Sequence, residues 1–175
     1  IIVEGARFDK MTKQFANELN KIKENKKVLI IVDEITSGWR MRSGGVYKLN
    51  KLKADIVVYG KSIGNGYPIT VLVGTNKVMN YAQDTFISSS FWTESTGFAA
   101  AIKTIEIFNK RNVGNFLNKT GSYIEDKWKK IAEKNNININ INNFKPLISF
   151  KFSDFKNQDE ILTYFTQEML KRGFL

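Results

Sequence analysis

The sequence predicts an α/β domain built on a largely parallel sheet. Two stretches, VLIIVDE (28–34) and ADIVVYGKS (54–62), each contain an unbroken apolar run that ends at polar residues. Such a run is typical of a strand that is buried on both faces, as the strands of parallel sheets are. A segment with helical apolar spacing precedes the first of these strands. Strand, helix, strand and strand in this order indicate a layered α/β fold.

The elements of this domain follow one another along the first part of the chain. Ile1 to Val3 form a short apolar strand that ends at Glu4. Residues 9–27 predict an amphipathic helix, because their apolar side chains are spaced by three or four: Met11, Phe15, Leu19 and Ile22. The two buried strands come next. The stretch SIGNGYP (62–68) predicts a tight turn after the second strand, since glycines permit backbone angles that are closed to other residues.

The second half of the chain changes character. A long helix is expected from Gly97, with small first-turn residues that allow close approach to another element. A second helix is expected from about Val113 to Asn135, with an apolar stripe of Phe116, Tyr123, Ile124, Trp128 and Ile131. NININI and PLISFKF then alternate as strands do, and the last stretch is again amphipathic. We therefore place residues 1–114 in a large domain and residues 115–175 at the start of a small α+β domain.

Composition excludes several classes of site. The 175 residues contain no Cys and no His, so metal sites and catalytic triads lose their usual ligands, and we expect no metal. The net charge of +10 is spread thinly along the chain, which does not favour a nucleic-acid partner. No apolar run approaches the roughly 18 residues of a membrane span. The first residues lack the order of a secretion signal. We expect a cytoplasmic protein with no membrane partner.

Two charged residues end the two buried strands. The amine of Lys61 could bond to an aldehyde, or it could simply be a solvated strand end. Asp33 could face a cation, or it could cap the following turn. The carboxyl ends of parallel strands are where α/β sheets bind ligands. Together the two residues match what pyridoxal phosphate requires: a lysine for its aldehyde and an acid for its ring nitrogen.

Three ordered motifs carry a resemblance to a known family. VDEITSGWR (32–40), ADIVVYGKSIGNGYPI (54–69) and SSSFWTESTGFAAA (88–101) resemble the class III (subgroup II) pyridoxal-phosphate aminotransferases, which include glutamate-1-semialdehyde 2,1-aminomutase. The resemblance implies the fold of fold-type-I transferases, with residues 1–114 as the C-terminal portion of the cofactor-binding domain. It also implies that the chain is an internal piece of a longer enzyme and is inactive alone.

The resemblance implies a role for each matching residue. Lys61 would be bonded to the cofactor and would carry the proton between substrate and cofactor carbons. Asp33 would pair with the ring nitrogen, and Ile35 would pack on one face of the ring. Thr93 would reach the cofactor phosphate of a neighbouring subunit, which implies a homodimer with a shared site. Glu34, the second acid of the motif, would be structural.

Three functions follow, in order of preference. The first is amino-group transfer between an amino donor and a small carbonyl acceptor, such as a keto sugar or a keto acid with an amino-acid donor. The second is the aminomutase reaction, which exchanges amino and carbonyl groups within one five-carbon acid. The third is a basic binding protein without chemistry, which predicts the loss of Lys61 or Asp33, and both residues are present.

Overall fold

A computed structural model describes residues 1–92, 94–153 and 156–174. Its larger sheet has four strands in the order β1–β2–β3–β4. Their bounds are β1 Ile2–Glu4, β2 Ile31–Asp33, β3 Ile56–Tyr59 and β4 Val71–Gly74. The first three strands are parallel, and β4 is antiparallel to β3. The predicted strands and their largely parallel arrangement are confirmed.

Five α-helices and a second, two-stranded sheet complete the described chain. The helices are α1 Lys13–Lys26, α2 Asn76–Met79, α3 Thr96–Lys110, α4 Val113–Lys134 and α5 Gln158–Lys171. Strands β5 Ile139–Ile141 and β6 Phe150–Phe152 pair antiparallel in the second sheet. The predicted helices and the alternating strand pattern are therefore confirmed. No helix in the described ranges is long and apolar enough to cross a membrane.

The register of the larger sheet places the candidate residues near one another. Asp33 is aligned with Glu4 of β1 on one side and with Val58 of β3 on the other. The carboxyl ends of β2 and β3 therefore finish at almost the same level. Lys61 follows the last residue of β3 after a single glycine, so it enters the loop that borders Asp33.

Helix α1 shows why this part of the chain folds as predicted. The Thr12 hydroxyl accepts a hydrogen bond from the Phe15 backbone N–H at 3.1 Å, which caps the helix. Ala16 and Leu19 face inward and are buried. They pack in a core with apolar residues from β2, β3, α3 and the segments beside the strands: Ile30, Val32, Val57, Ile63 and Ala101. The core includes Val32, which precedes Asp33, and Ile63, which lies two residues after Lys61.

Helix α4 differs from the expected stripe. Phe116, Tyr123 and Ile131 are about 60% exposed or more, while the small residues Gly121 and Ala132 are buried. The reason is close backbone packing: a Cβ on Gly121 would lie 2.1 Å from the carbonyl oxygen of Lys145. The small-residue face of α4 therefore packs closely, while the predicted stripe packs only in part: Ile124 and Trp128 are half-buried, and Trp128 meets Phe150 edge-on.

The two halves of the chain share a small core. Phe144 is fully buried and packs with Ala6 and Val46 of the first half. The Asn118 side chain donates a hydrogen bond to the backbone oxygen of Met41 at 3.1 Å. The division into residues 1–114 and 115–175 stays a prediction. Residue 115 lies in the first turn of α4.

Candidate active site

Lys61 has an unusual backbone conformation. It opens a single turn of 3₁₀-helix, Lys61–Ile63, and its φ angle is +46°. Positive φ is uncommon outside glycine and costs free energy unless the surroundings hold it. Here the Lys61 carbonyl accepts hydrogen bonds from the N–H groups of Gly64, at 3.1 Å, and Asn65, at 3.0 Å. The glycine-rich turn therefore fixes the direction in which the lysine leaves the sheet.

The Lys61 side chain reaches a neutral partner. Its Nζ donates a hydrogen bond to the Thr36 hydroxyl oxygen at 2.8 Å. Among the described residues, no carboxylate lies within ion-pair distance of this Nζ. Other lysines of the chain do have such partners, as Lys23 has in Asp55 at 2.7 Å. The amine is held in place without an opposite charge.

Lys61 also lines a large cavity in the described part of the chain. The cavity has a volume of about 1020 Å³, at the upper end of the range for ligand pockets, about 300–1,000 Å³. Much of its wall is apolar or aromatic: Tyr67, Ile69, Leu72, Phe91, Trp92 and Phe98. The cavity therefore places the exposed Lys61 side chain beside a largely apolar wall.

Asp33 lies at the end of β2 and is partly buried. Its Oδ1 accepts a hydrogen bond from the Ile35 N–H at 2.8 Å, so the carboxylate does cap the following turn. No cation within the described ranges pairs with it. The cap uses one oxygen and fixes the orientation of the group. The other oxygen keeps its capacity to accept a further hydrogen bond.

Ile35 donates its N–H to Asp33, and its side chain lies beside Gly60. A Cβ placed on Gly60 would be 3.3 Å from the Ile35 Cγ2, so this side chain covers the residue that precedes Lys61. The structure thus brings Lys61, Asp33 and Ile35 together at one edge of the sheet. Asp33 and Ile35 do not belong to the described lining of the large cavity. Thr93, the fourth expected site residue, lies outside the described residues.

Glu34 is fully buried behind this edge. Its Oε2 accepts a hydrogen bond from the Ser37 hydroxyl at 2.5 Å, and its Oε1 accepts one from the Tyr47 N–H at 2.8 Å. Gly5 makes room for it, since a Cβ there would lie 2.3 Å from Oε1. The carboxylate therefore links the end of β1, the turn after β2 and the segment that begins at Val46.

Burial also shapes the titration of this group and its neighbours. Burial raises the pKa of Glu34, and the hydrogen bonds from Ser37 and Tyr47 offset part of that rise. Burial likewise raises the pKa of Tyr59, with a further contribution from the nearby Tyr47 and Glu34. The two phenols share a hydrogen bond. They therefore stay protonated at neutral pH and support the turn as neutral groups.

Two features of this edge were not predicted from the sequence. Thr36 was not singled out, although its position in the motif ITSG beside Asp33 is a signal that could have marked it. Tyr47 carries no local signal, because its contact with Glu34 depends on a loop that returns to the sheet. The structural role expected for Glu34 is consistent with its burial.

Comparison with known proteins gives a consistent result. The family model for class-III aminotransferases matches residues 5–175. The chain is 34% identical over 151 residues to 3-aminobutyryl-CoA aminotransferase of Cloacimonas acidaminovorans, covering 84% of this chain and 36% of that one. It is 27% identical over 176 residues to glutamate-1-semialdehyde 2,1-aminomutase of Alkaliphilus metalliredigens, covering 93% and 40%. The chain therefore spans less than half the length of these relatives.

Solved structures resemble the fold. The FumI protein of Sphingopyxis sp. MTA144, in its PLP internal aldimine form, superposes with a TM-score of 0.83 at 24% identity, covering 90% of this chain and 39% of that one. Acetylornithine aminotransferase of Elizabethkingia anophelis superposes with a TM-score of 0.75 at 19% identity, covering 87% and 42%. At these identities the likeness concerns the fold alone.

Replacing Glu34 by glutamine should change how stability depends on pH. The pKa of Glu34 is raised above its ordinary value of 4.5 in the folded protein. The stability that such a carboxyl contributes is fully present below the unfolded pKa and is lost as the pH rises through the folded pKa. We therefore expect the melting temperature of wild type to fall relative to that of Glu34→Gln as the pH rises from 4.5 to neutral.

Glu94→Gln is the control, with the opposite sign. Hydrogen bonds from the Thr96 side chain and from the N–H groups of Gly97 and Thr96 lower the pKa of Glu94. Its contribution is therefore lost as the pH falls through the folded pKa, and wild type should lose stability relative to Glu94→Gln on acidification. For each variant, the difference in melting temperature from wild type is followed as the pH changes. If this difference changes with pH in the same direction for both variants, the role assigned to the buried Glu34 is contradicted.

Proposed function

Because the chain belongs to the class-III aminotransferase family and has the α/β fold of fold-type-I pyridoxal-phosphate-dependent transferases, we propose that it carries the cofactor-bonding lysine of an aminotransferase. The reaction moves an amino group from an amino donor to a small carbonyl acceptor, such as a keto acid or a keto sugar with an amino-acid donor. The chain spans little more than a third of its curated relatives. The activity is therefore proposed for the whole protein to which this chain belongs.

One observation carries the proposal: the position of the Lys61 amine. Lys61 lines a large cavity at the carboxyl edge of the parallel strands, and the partner of its amine is a hydroxyl rather than a carboxylate. A carbonyl compound that enters the cavity can be reached without breaking an ion pair. Lysines that serve only as solvated strand ends have no need of a fixed backbone and a hydrogen-bonded amine.

The residues of this edge fit pyridoxal phosphate. When bound, the cofactor supplies an aldehyde and a protonated ring that withdraws electrons. Lys61 would bond to the aldehyde carbon through Nζ. Asp33, which the described residues leave without a cation, would accept a hydrogen bond from the protonated ring nitrogen and so keep it protonated. Ile35 would form an apolar wall against one ring face, and Thr93 would contact the phosphate held by a partner subunit.

In this scheme Lys61 does the proton chemistry. Its Nζ would accept the proton from the substrate carbon that bears the amino group and deliver it to the cofactor carbon. General acid–base catalysis of this kind typically contributes about 10²- to 10⁴-fold to the rate. The fixed turn after β3 would keep Nζ within reach of both carbons.

We propose that the protein is a cytoplasmic homodimer with a shared site. The residues around the cavity expose large apolar side chains, including Tyr81, Phe91 and Trp92, and Phe86 is almost fully exposed. Isolated apolar side chains are common on surfaces, but a contiguous group beside a ligand cavity favours a protein interface. We expect neither nucleic acid nor membrane as a partner, since the basic charge is distributed thinly over the sequence.

The aminomutase reaction is the second candidate. A glutamate-1-semialdehyde 2,1-aminomutase matches 93% of this chain, and that reaction would use the same lysine and the same acid. In the transferase the amino group passes from a separate donor to an acceptor, whereas in the mutase it moves to another carbon of the same molecule. The residues described here serve either reaction.

Lys61→Ala should abolish covalent attachment of the cofactor. Wild-type full-length protein loaded with pyridoxal phosphate should show the visible absorbance band of the lysine-bound cofactor. Borohydride treatment should then mark the Lys61 peptide in mass spectrometry. Lys77→Ala, an exposed lysine on α2 near the same cavity, is the control and should keep both signals. A marked peptide other than that of Lys61 would refute the assignment.

Asp33→Asn should slow turnover with covalent attachment retained. A neutral amide does not keep the ring nitrogen protonated, so kcat should fall by about 10²- to 10³-fold, the range for loss of one electrostatic partner. The amide oxygen can still accept the Ile35 N–H hydrogen bond, so the turn should keep its shape. Steady-state kinetics with a saturating amino donor measures the effect. Turnover within twofold of wild type would exclude Asp33 as the ring partner.

Product identity should separate the two candidate reactions. We expect glutamate with a keto acid or a keto-sugar nucleotide to yield 2-oxoglutarate and the aminated acceptor. Glutamate 1-semialdehyde incubated alone should stay unrearranged. Lys61→Ala and mixtures without acceptor serve as controls. Rearrangement of the semialdehyde without a separate donor would replace the transferase by the mutase.

A further inference from the structure

The contact between Lys61 and Thr36 joins the two turns of the site. The Thr36 hydroxyl accepts the Lys61 Nζ hydrogen bond at 2.8 Å, and the Thr36 carbonyl accepts one from the Arg40 Nε at 2.8 Å. The same turn is closed by the Gly38 N–H, which donates to the Glu34 carbonyl at 2.7 Å. Thr36 therefore presents its hydroxyl from a turn that is hydrogen-bonded on both sides.

The chemistry of the lysine gives this contact a use. In amino-group transfer the lysine amine alternates between two forms, one bonded to a carbonyl carbon and one released while the substrate nitrogen takes its place. Only the released amine has several N–H donors; the bonded nitrogen does not. The released amine also sits at the end of a flexible four-carbon stem, so many orientations are open to it. A released amine without a partner would often point away from the carbon it must deprotonate.

We propose that Thr36 is a positioning residue that holds the Lys61 amine while it is released and directs it toward the proton it transfers. This inference rests on the proposed function. A hydroxyl suits the task because it accepts a hydrogen bond without the charge of a carboxylate. The amine is therefore oriented but is not locked in an ion pair. The short distance and the fixed backbone at both ends give the contact a defined geometry.

The test compares Thr36→Val, which removes the hydroxyl and keeps the shape, with Thr36→Ser, which keeps the hydroxyl. In loaded protein Thr36→Val should lower kcat by about 10- to 100-fold, the effect of a small misplacement of a reacting group. KM for the amino donor should stay unchanged. The deuterium isotope effect on kcat, with the donor labelled at the carbon that bears the amino group, should rise. Thr36→Ser should restore both values.

A second measurement does not depend on turnover. Cofactor-free protein is mixed with pyridoxal phosphate, and the rate of covalent bond formation is followed by absorbance. We expect Thr36→Val to react about tenfold more slowly than wild type and Thr36→Ser to match wild type. Thr163→Val is the control, because its hydroxyl bonds only to a carbonyl of its own helix on the exposed face of α5. This variant should match wild type in both assays.

The outcomes separate this proposal from the proposed function. If wild type forms no borohydride-stable bond at Lys61, the proposed function fails. If wild type forms that bond and Thr36→Val keeps its kcat and isotope effect, only the role of Thr36 fails. Equal losses in Thr36→Val and Thr36→Ser would show that packing matters and the hydroxyl does not. Thr36→Ala provides the same comparison if the valine variant does not fold.

Discussion

The site depends on one buried carboxylate, Glu34. Moving a charged group out of water costs several kcal/mol unless hydrogen bonds replace its hydration. The Ser37 hydroxyl and the Tyr47 N–H supply those bonds, and the Glu34 N–H itself donates to the Val58 carbonyl at 2.9 Å. The residue thus extends the pairing of β2 with β3 by one step and ties the following turn to a distant loop. Asp33 precedes Glu34 and Thr36 follows it by two residues, so anchoring Glu34 holds both residues in place.

Aromatic packing also supports the turn after β2. Trp39 has a φ angle of +55°, which is uncommon for a residue with a bulky side chain. Its ring meets Phe108 of α3 edge-on, with centroids 5.7 Å apart, and lies 6.5 Å from Tyr59 of β3. Contacts of this kind contribute about 0.5–1.5 kcal/mol each beyond the area they bury. They offset part of the free-energy cost of the positive φ angle at Trp39, and they connect the turn to α3.

Sequence patterns predicted most of the fold and part of the site. Unbroken apolar runs marked β2 and β3, and the charged residues at their ends marked Asp33 and Lys61, because strand ends of a parallel sheet meet at one edge. The exposure of Phe116, Tyr123 and Ile131 on α4 was not predictable in this way. Helical spacing shows that a helix has an apolar face, whereas glycines that allow close backbone approach decided which face of α4 packs.

The Thr36 contact was beyond sequence reasoning for a different reason. It depends on the left-handed backbone at Lys61, and spacing alone predicts neither that conformation nor the direction of the side chain. The choice of partner is nevertheless informative. Lys23, Lys53 and Lys145 each meet a carboxylate in the described chain. An ion pair stabilises the ammonium form of a lysine, and an amine must lose a proton before it can attack a carbonyl carbon. A neutral hydroxyl orients the amine without adding an opposite charge. The contact that holds the Lys61 side chain therefore does not tie it up in an ion pair.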